Sequence, residues 1–408
     1  MHPGSIALTN IGQLVTNDPA RGDLLGVVAD AVVVIEDGVV VWAGERTEMP
    51  EAPDAVDCEG RAVLPGFVDP HTHAAFAGDR SDEFARRLRG ESYEQIMASG
   101  GGIQSTVAAT RRASRDELIH LTTNRLLRMR GSGATTVEIK SGYGLDGEHE
   151  LMLLEVAAVA GAAAGVDVVP TFLGAHTTPP EFTGDADGYV DYLIEQVLPE
   201  CAPHARFCDV FCDEGVFTVD QARRVLVAGK AHGLVPRLHA NQLARSGGVQ
   251  LAAEVGAISA DHLDHLEDDD IELVRAAGIV AVMLPGVAFS LRLPQARGRD
   301  LWDAGVPVAL GTDCNPGTSN VETMPFVVAL ACLEMGLSPE QAVWSATRGG
   351  ALALGLEDRG WLGPGAVGDL VILNDTSYVH LAYRPDAPHV AGVIKRGVRR
   401  DALSPGRQ

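Results

Sequence analysis

The sequence predicts an α/β protein: a closed (β/α)8, TIM-like barrel with a small β-sandwich domain formed from both termini. Three observations point there. β-type runs cluster at the two ends of the chain, the middle alternates apolar strand-like runs with longer helical ones, and about eight of those apolar runs end in residues able to do chemistry.

The chain opens with "SIALTN" and "DAVVVIEDGVVVWAGE", in which Asp37 and Gly38 supply a hairpin turn. The same texture returns after "GWLGPGAVGD", in "LVILND" and "AGVIKRG". Isolated strands cannot bury their faces alone. The two ends are therefore expected to pair, residues 1–57 with 365–408, around a barrel over residues 58–364.

The barrel strands are expected, in order, in "AVLPGFVDPHTH", "ATTVEIKSGYG", "DVVPTFLGAHT", "ARFCDVFCDEG", "LVPRLHANQ", "AISADHLDHL", "GIVAVMLPGVAF" and "PVALGTDCNPG". Between them lie helical stretches such as "SYEQIMAS", "SRDELIHLTTNRLLRMRG" and "HELMLLEVAAVAGAAAG". In a closed barrel the strand ends converge on the mouth that houses active sites. The competing architecture, an open doubly wound sheet, would seat a ligand at a strand-order switch point. No G-x-G-x-x-G follows a strand and no Walker A motif occurs, so nucleotide-binding readings lose weight. The glycines of "SGGGIQST" lead into a helix whose N-terminus could seat an anion or simply hinge a loop.

Of the 408 residues 46% are hydrophobic and 21% charged, the balance of a chain that buries a sizeable core. A net charge of −23 opposes non-specific association with nucleic acid or an anionic membrane, and any anionic ligand would need local arginines. The stretch "MHPGSIALTNIGQLVTNDPARGDLL" lacks the basic and apolar regions of a secretory signal, and no apolar run reaches spanning length, which predicts a cytoplasmic enzyme. Cys58, Cys201, Cys208, Cys212, Cys314 and Cys332 are too sparse for a disulfide scaffold and include no C-x-x-C pair, so buried thiols are expected.

The chemistry-bearing residues begin in "FVDPHTHAAFAGDR", Phe67 to Arg80. Alternate side chains of an extended chain share a face, so His71 and His73 can aim at one object. His239 closes the fifth strand and Asp313 the eighth. Imidazole nitrogen with carboxylate oxygen suits zinc or iron, and three or four protein ligands leave room for a water whose pKa the metal lowers to about 7. Taken singly, each histidine could be a hydrogen-bonded interior residue. Matching donors at several strand ends satisfy one geometry jointly and favour a metal site.

H-x-H after the first strand, histidine after the fifth and aspartate after the eighth resemble the ligand pattern of the amidohydrolase superfamily, whose small β-sandwich is likewise built from both termini. Within it, "HTHAAFAGDR", "GGGIQSTVAATR", "EIKSGYGLD", "TFLGAHTTPPEF", "SADHL" and "GTDCNPGTS" resemble the imidazolonepropionase family and span the barrel in order. The resemblance implies one zinc or iron ion per subunit, a homodimer, and a small-molecule substrate, 4-imidazolone-5-propanoate. It implies hydrolytic ring opening to N-formimidoyl-L-glutamate in histidine degradation, by attack of a metal-bound hydroxide on the ring carbonyl.

In that reading Asp313 binds metal and accepts the water's proton. His262 in "SADHL" orients the water or shuttles a proton; bracing the strand end is its plain alternative. Arg80 offers a fork suited to the propionate carboxylate, although a surface pair with Asp79 or Asp82 would also account for it. Tyr143 in "KSGYG" and His176 in "GAHT" become ligand contacts by resemblance; on their own they could be a wall of the mouth and a satisfied histidine. Asn315, Gly317 and Thr318 in "DCNPGT" could read the ring edge or merely form a tight turn. One position departs from the pattern. Many relatives carry H-A-D-E after the fifth strand, where this chain has "HANQ". Gln242 can donate and accept hydrogen bonds but cannot serve as a base, so a substrate-binding role is expected, with protons moved by His262 and Asp313.

Two other readings stay open at this point. Another amidohydrolase, acting on a cyclic amide or amidine as guanine, cytosine or formimidoylglutamate deaminases do, would need donors other than Arg80 and Tyr143. A catalytically inactive binding scaffold would normally have lost metal ligands, and this chain keeps all four candidates.

Overall fold

The computed structural model describes residues 5–48, 55–91, 95–96 and 99–400. The helix expected over "SYEQIMAS" lies largely outside them. From the N-terminal side come β1 (Ile6–Leu14), β2 (Val28–Glu36), β3 (Val39–Glu45), β4 (Ala55–Asp57) and β5 (Ala62–Pro65). Next are β6 (Phe67–Asp69), β7 (Ala134–Lys140), β8 (Asp167–Ala175), β9 (Phe207–Cys212) and β10 (Val235–Ala240). They are followed by β11 (Ser259–His262), β12 (Val280–Met283) and β13 (Val308–Leu310). The chain ends in β14 (Leu370–Leu373), β15 (Val390–Lys395) and β16 (Val398–Arg400).

The terminal strands pair as expected, in the order β16-β15-β14-β5-β1-β2-β3, with β4 also alongside β1. Asp37 and Gly38 take positive φ, 49° and 81°, which gives the β2–β3 hairpin its twist-matched turn. β1 pairs with β4 at its start and β5 at its end, and its register against β2 slips between Leu8 and Ile11. The expected sandwich is thus one mixed sheet around its own core, which includes Leu8, Ile11, Val33, Ile35, Leu370 and Ile394.

The first expected barrel strand, "AVLPGFVDPHTH", is two strands in two sheets. Ala62–Pro65 pairs with β1 and β14 in the terminal sheet, and Phe67–Asp69 pairs with β7 in the barrel. Gly66 makes the transfer. Its amide donates to Asp369 O at 2.9 Å, and a methyl group there would collide with Thr135. Both pieces are buried throughout, so burial alone carries no mark of the switch.

The other seven runs become β7 to β13, all parallel and hydrogen-bonded in chain order from β6 to β13. The ring closes just beyond its first and last strands. Asp313 N donates to His71 O and His73 N to Cys314 O, each at 3.0 Å, around a parallel bridge between Thr72 and Cys314.

The helices behind the barrel carry local signals that agree with their boundaries. Ser114 caps Arg115–Gly131 by accepting from Glu117 N, and Asp146 caps Gly147–Ala164 by accepting from His149 N. Gly165 ends the latter helix at φ 66°. The helix after "SGGG" runs Ile103–Arg112. Five of the six cysteines are buried and all are free. No helix among the described residues is long and apolar enough to cross a membrane.

Candidate metal centre and adjoining cleft

Every strand that bears a candidate ligand delivers it at the C-terminal mouth of the barrel. His71 and His73 follow β6, His239 lies on β10, His262 ends β11 and Asp313 follows β13. All five are buried. They form two overlapping groups, His71 with His239 and His262, and His71 with His73 and Asp313; within each, the ligand atoms lie inside 4.8 Å of one another.

Hydrogen bonds set the rings. A carboxylate only accepts, so His71 Nδ1 donates to Asp261 Oδ2 at 2.6 Å and His239 Nδ1 donates to Asp209 Oδ1 at 3.0 Å. The Nε2 atoms are thereby left as bare acceptors facing the mouth. His71 Nε2 lies 3.5 Å from Asp313 Oδ1, and neither atom has a hydrogen-bond partner. His73 Nε2 lies 3.4 Å from Asp313 Oδ1 and 3.3 Å from His239 Nε2. His71 Nε2 and Asp313 Oδ1, two acceptors facing each other in a buried space, repel unless a cation is shared between them, and nitrogen with carboxylate oxygen suits a divalent transition ion.

The electrostatics agree with neutral, ligand-ready rings at His71 and His73. Burial, aided by Lys140, holds the pKa of His71 well below the ordinary histidine value; burial and His176 do the same for His73. Burial raises Asp313, while His262 and His239 oppose the rise. For His262, burial lowers the pKa, but Asp264 and Asp313 outweigh it and raise the value. The His262 Nδ1–Asp264 Oδ2 separation of 3.8 Å makes this an ion-pair effect, too long for a hydrogen bond. Both His262 and Asp313 sit at positive φ, 76° and 48°, strained backbone of the kind that clusters at functional sites.

Beneath the rings lies a buried charge network to which the sequence reading gave no role. Lys140 Nζ contacts Glu138 at 2.8 Å and Asp209 at 2.9 Å, and Arg237 Nη2 contacts Asp261 at 2.6 Å; none of the five side chains is exposed. Glu138 also accepts from the amide of Thr72, between the two histidines of the H-x-H. These charges lie within strands β7, β9, β10 and β11, where charged residues among apolar neighbours were the available signal.

His176 stacks on His73 with centroids 4.8 Å apart and donates Nδ1 to Gly142 O at 2.9 Å. Burial, with His239 nearby, holds its pKa down to about 3. Tyr143 lies 5.9 Å from His73 and 5.3 Å from His176, ring to ring, and burial raises its hydroxyl pKa. Those two residues therefore join the cluster.

Arg80, Gly317 and Thr318 line a cleft of about 400 Å³. Arg80 pairs with Glu83, Nη2 to Oε2 at 2.8 Å, where Asp79 or Asp82 had been the surface alternative. Glu83 also accepts from Gly102 N at 3.0 Å, so a carboxylate of the chain itself occupies the start of the helix after "SGGG". Asn315 is committed to its own turn: Oδ1 accepts from Gly317 N and Thr318 N, each at 2.8 Å, and Nδ2 donates to Asp313 O at 2.7 Å. Gln242 is held through its backbone, its amide donating to Asp213 Oδ2 at 2.7 Å.

A model of the Amidohydrolase family matches residues 62–400, and the chain belongs to that family. An imidazolonepropionase of Streptomyces coelicolor is 52% identical over 97% of this chain and 99% of its own length. One from Nocardia farcinica is 51% identical over 96% and 97%. Within the amidohydrolases, the chain's place is among the imidazolonepropionases. Solved structures share the fold at low identity. An adenosine deaminase from Xanthomonas campestris with bound zinc has a TM-score of 0.74 at 18% identity, over 97% of this chain and 92% of that one. A triazine hydrolase variant has a TM-score of 0.77 at 18%, over 98% and 96%.

Proposed function

We propose that the chain hydrolyses 4-imidazolone-5-propanoate to N-formimidoyl-L-glutamate in histidine degradation, using one zinc or iron ion held by His71, His73, His239 and Asp313. The observation that carries the reading is the pair of unsatisfied acceptors, His71 Nε2 and Asp313 Oδ1, buried 3.5 Å apart beside a cleft that Arg80 lines. The names and identities of the relatives support the substrate. An ion bound there supplies Lewis acidity, lowering the pKa of a coordinated water to about 7.

The chain's own residues do the rest. Arg80 binds the propionate carboxylate. Tyr143, kept protonated by burial, donates a hydrogen bond to the substrate. His176 keeps its proton on Nδ1, so Nε2 accepts from a ring N–H. Asp313, its carboxyl raised by burial, takes the proton of the attacking water. The ring carbonyl carbon gains the water's oxygen, its bond to nitrogen breaks, and the freed nitrogen takes a proton for which His262 is the donor. Gln242, Asn315, Gly317 and Thr318 shape the substrate pocket; none of them moves a proton. The family likeness supports a cytoplasmic homodimer.

The test is loss of imidazolone absorbance with metal-loaded protein. His239→Ala is expected to lose bound metal and turnover together, and Arg80→Ala to raise KM about tenfold or more with kcat near wild type. Metal-replete protein that leaves the imidazolone intact while deaminating a cyclic amidine would overturn the assignment.

A further inference from the structure

Arg125 is a buried cation with no role in the chemistry above. It lies on the helix Arg115–Gly131 and is 8% exposed. Its Nη1 donates to Ala74 O at 3.1 Å and Phe76 O at 2.8 Å, and its guanidinium carbon lies 3.4 Å from the centroid of the Phe76 ring. Among the described residues no carboxylate forms an ion pair with it. A buried cation without a counter-ion is destabilising unless something else answers its charge.

The cleft beside it supplies the context. Arg80, Arg87, Arg125 and Arg128 all line it, in a chain of net charge −23. Glu83 meets the charge of Arg80 and Glu322 that of Arg128. Arg125 meets a ring and two carbonyls instead. These partners engage Nη1 and cover one face of the guanidinium, and Arg125 itself lines the cleft. Bracing the loop after His73 would need a single donor; a held planar fork is suited to a carboxylate. Phe76, the ring under Arg125, lies 6.2 Å from the Tyr143 ring, so the cleft and the metal cluster share a wall.

We propose that Arg125 is a specificity-determining residue, gripping the carboxylate tail of the substrate together with Arg80. This rests on the anionic substrate inferred above. The two guanidiniums approach one carboxylate from two elements, which selects an anionic tail over a neutral one.

The experiment is steady-state kinetics on metal-loaded full-length Arg125→Gln and Arg125→Lys, with metal content measured for each, and with glutarate and glutaramide as competing probes. The expected result is a KM raised about tenfold or more in Arg125→Gln, with kcat within about threefold of wild type and metal content unchanged. Arg125→Lys, which keeps the charge but not the fork, is expected between the two. Glutarate should inhibit wild type more strongly than glutaramide and lose that advantage in Arg125→Gln. An unchanged KM and an unchanged glutarate preference in Arg125→Lys or Arg125→Gln overturn the proposal, as does loss of metal and kcat with KM intact, the signature of a loop brace. If Arg125→Gln does not fold, Arg125→Lys and the probe pair on wild type decide: no preference for glutarate sinks it. Failure of the substrate assignment itself reads differently, because wild type would then not turn over the imidazolone at all.

Discussion

Lys140 Nζ lies 2.9 Å from Asp209 Oδ2, and neither side chain is exposed. Asp209 in turn accepts from His239, so one buried ammonium stands behind the histidine of the fifth barrel strand. Burial alone would raise Asp209; His239 and Lys140 outweigh it and hold its carboxyl well below the usual range.

Lys140→Met removes the cation and leaves Glu138 and Asp209 facing one another in the interior. A stability loss of about 3–5 kcal/mol is expected by urea unfolding. Metal affinity, read by competition with a chromophoric chelator, should fall about 10–100-fold, because the His239 ring loses its fixed orientation. A variant that unfolds and binds metal like the parent would show the network to be incidental.

Gly317→Ala probes Arg80 from the opposite side. Its added methyl would collide with Arg80 Nη1, the far end of a long side chain that Glu83 holds through Nε and Nη2, so the guanidinium has to shift while the backbone stays in place. Melting is expected within a few degrees of wild type, with KM raised several-fold, about 1 kcal/mol of lost binding. Unaltered KM would mean that Arg80 does not sit in the substrate's path.

Asp167 ties the two sheets together. It starts β8 and meets Lys395 of β15 at 2.9 Å and Arg359 at 2.7 Å. Burial raises its pKa, but Lys395 and Arg359 outweigh that and bring it from 3.8 to about 2. With the folded value below the unfolded one, the unfolded chain binds more protons between them. The contribution is therefore full above about pH 4 and lost as pH falls towards 2. Asp167→Asn should melt below wild type at pH 7, and the gap should narrow across that acidic window. A gap that is constant with pH contradicts the ion-pair account.

Removing the metal tests the acceptor cluster as a whole. Dialysis against a chelator at neutral pH is expected to abolish turnover and lower the melting temperature, and added zinc or ferrous ion should restore both. Protons compete for the same imidazoles, but burial holds His71 and His73 well below the ordinary histidine value, so metal should stay bound as pH falls through the usual histidine range and be released only at more acidic pH. Full activity in protein shown by elemental analysis to be metal-free would dismiss the site.

Much of this architecture is legible in the chain, because β-type runs at both ends and strand-terminal histidines are local patterns. His71 and His73 share a face by the period of a strand, and His239 and Asp313 join them because parallel barrel strands end on one rim. What resists reading depends on lateral register. Asp209 is opposite Arg237 in the β9–β10 pairing, and His239 opposite Asp261 in β10–β11; neither relation leaves a trace along one strand. Gly66 resists for another reason: it parts two buried strands whose destinations are set by their neighbours. Arg125 is similar, since helical spacing gives no hint that its partners are Phe76 and two carbonyls of a distant loop.

Because His71 and Asp313 are joined main chain to main chain where the first and last staves meet, the clasp of the cylinder is also the frame of its candidate metal centre. The spacing between imidazole and carboxylate is then inherited from peptide geometry, so the pocket cannot gape without unzipping the hoop. If the centre works as proposed, substrate is admitted by side chains and outer loops, because breathing that exposed the inner rim would part His71 from Asp313.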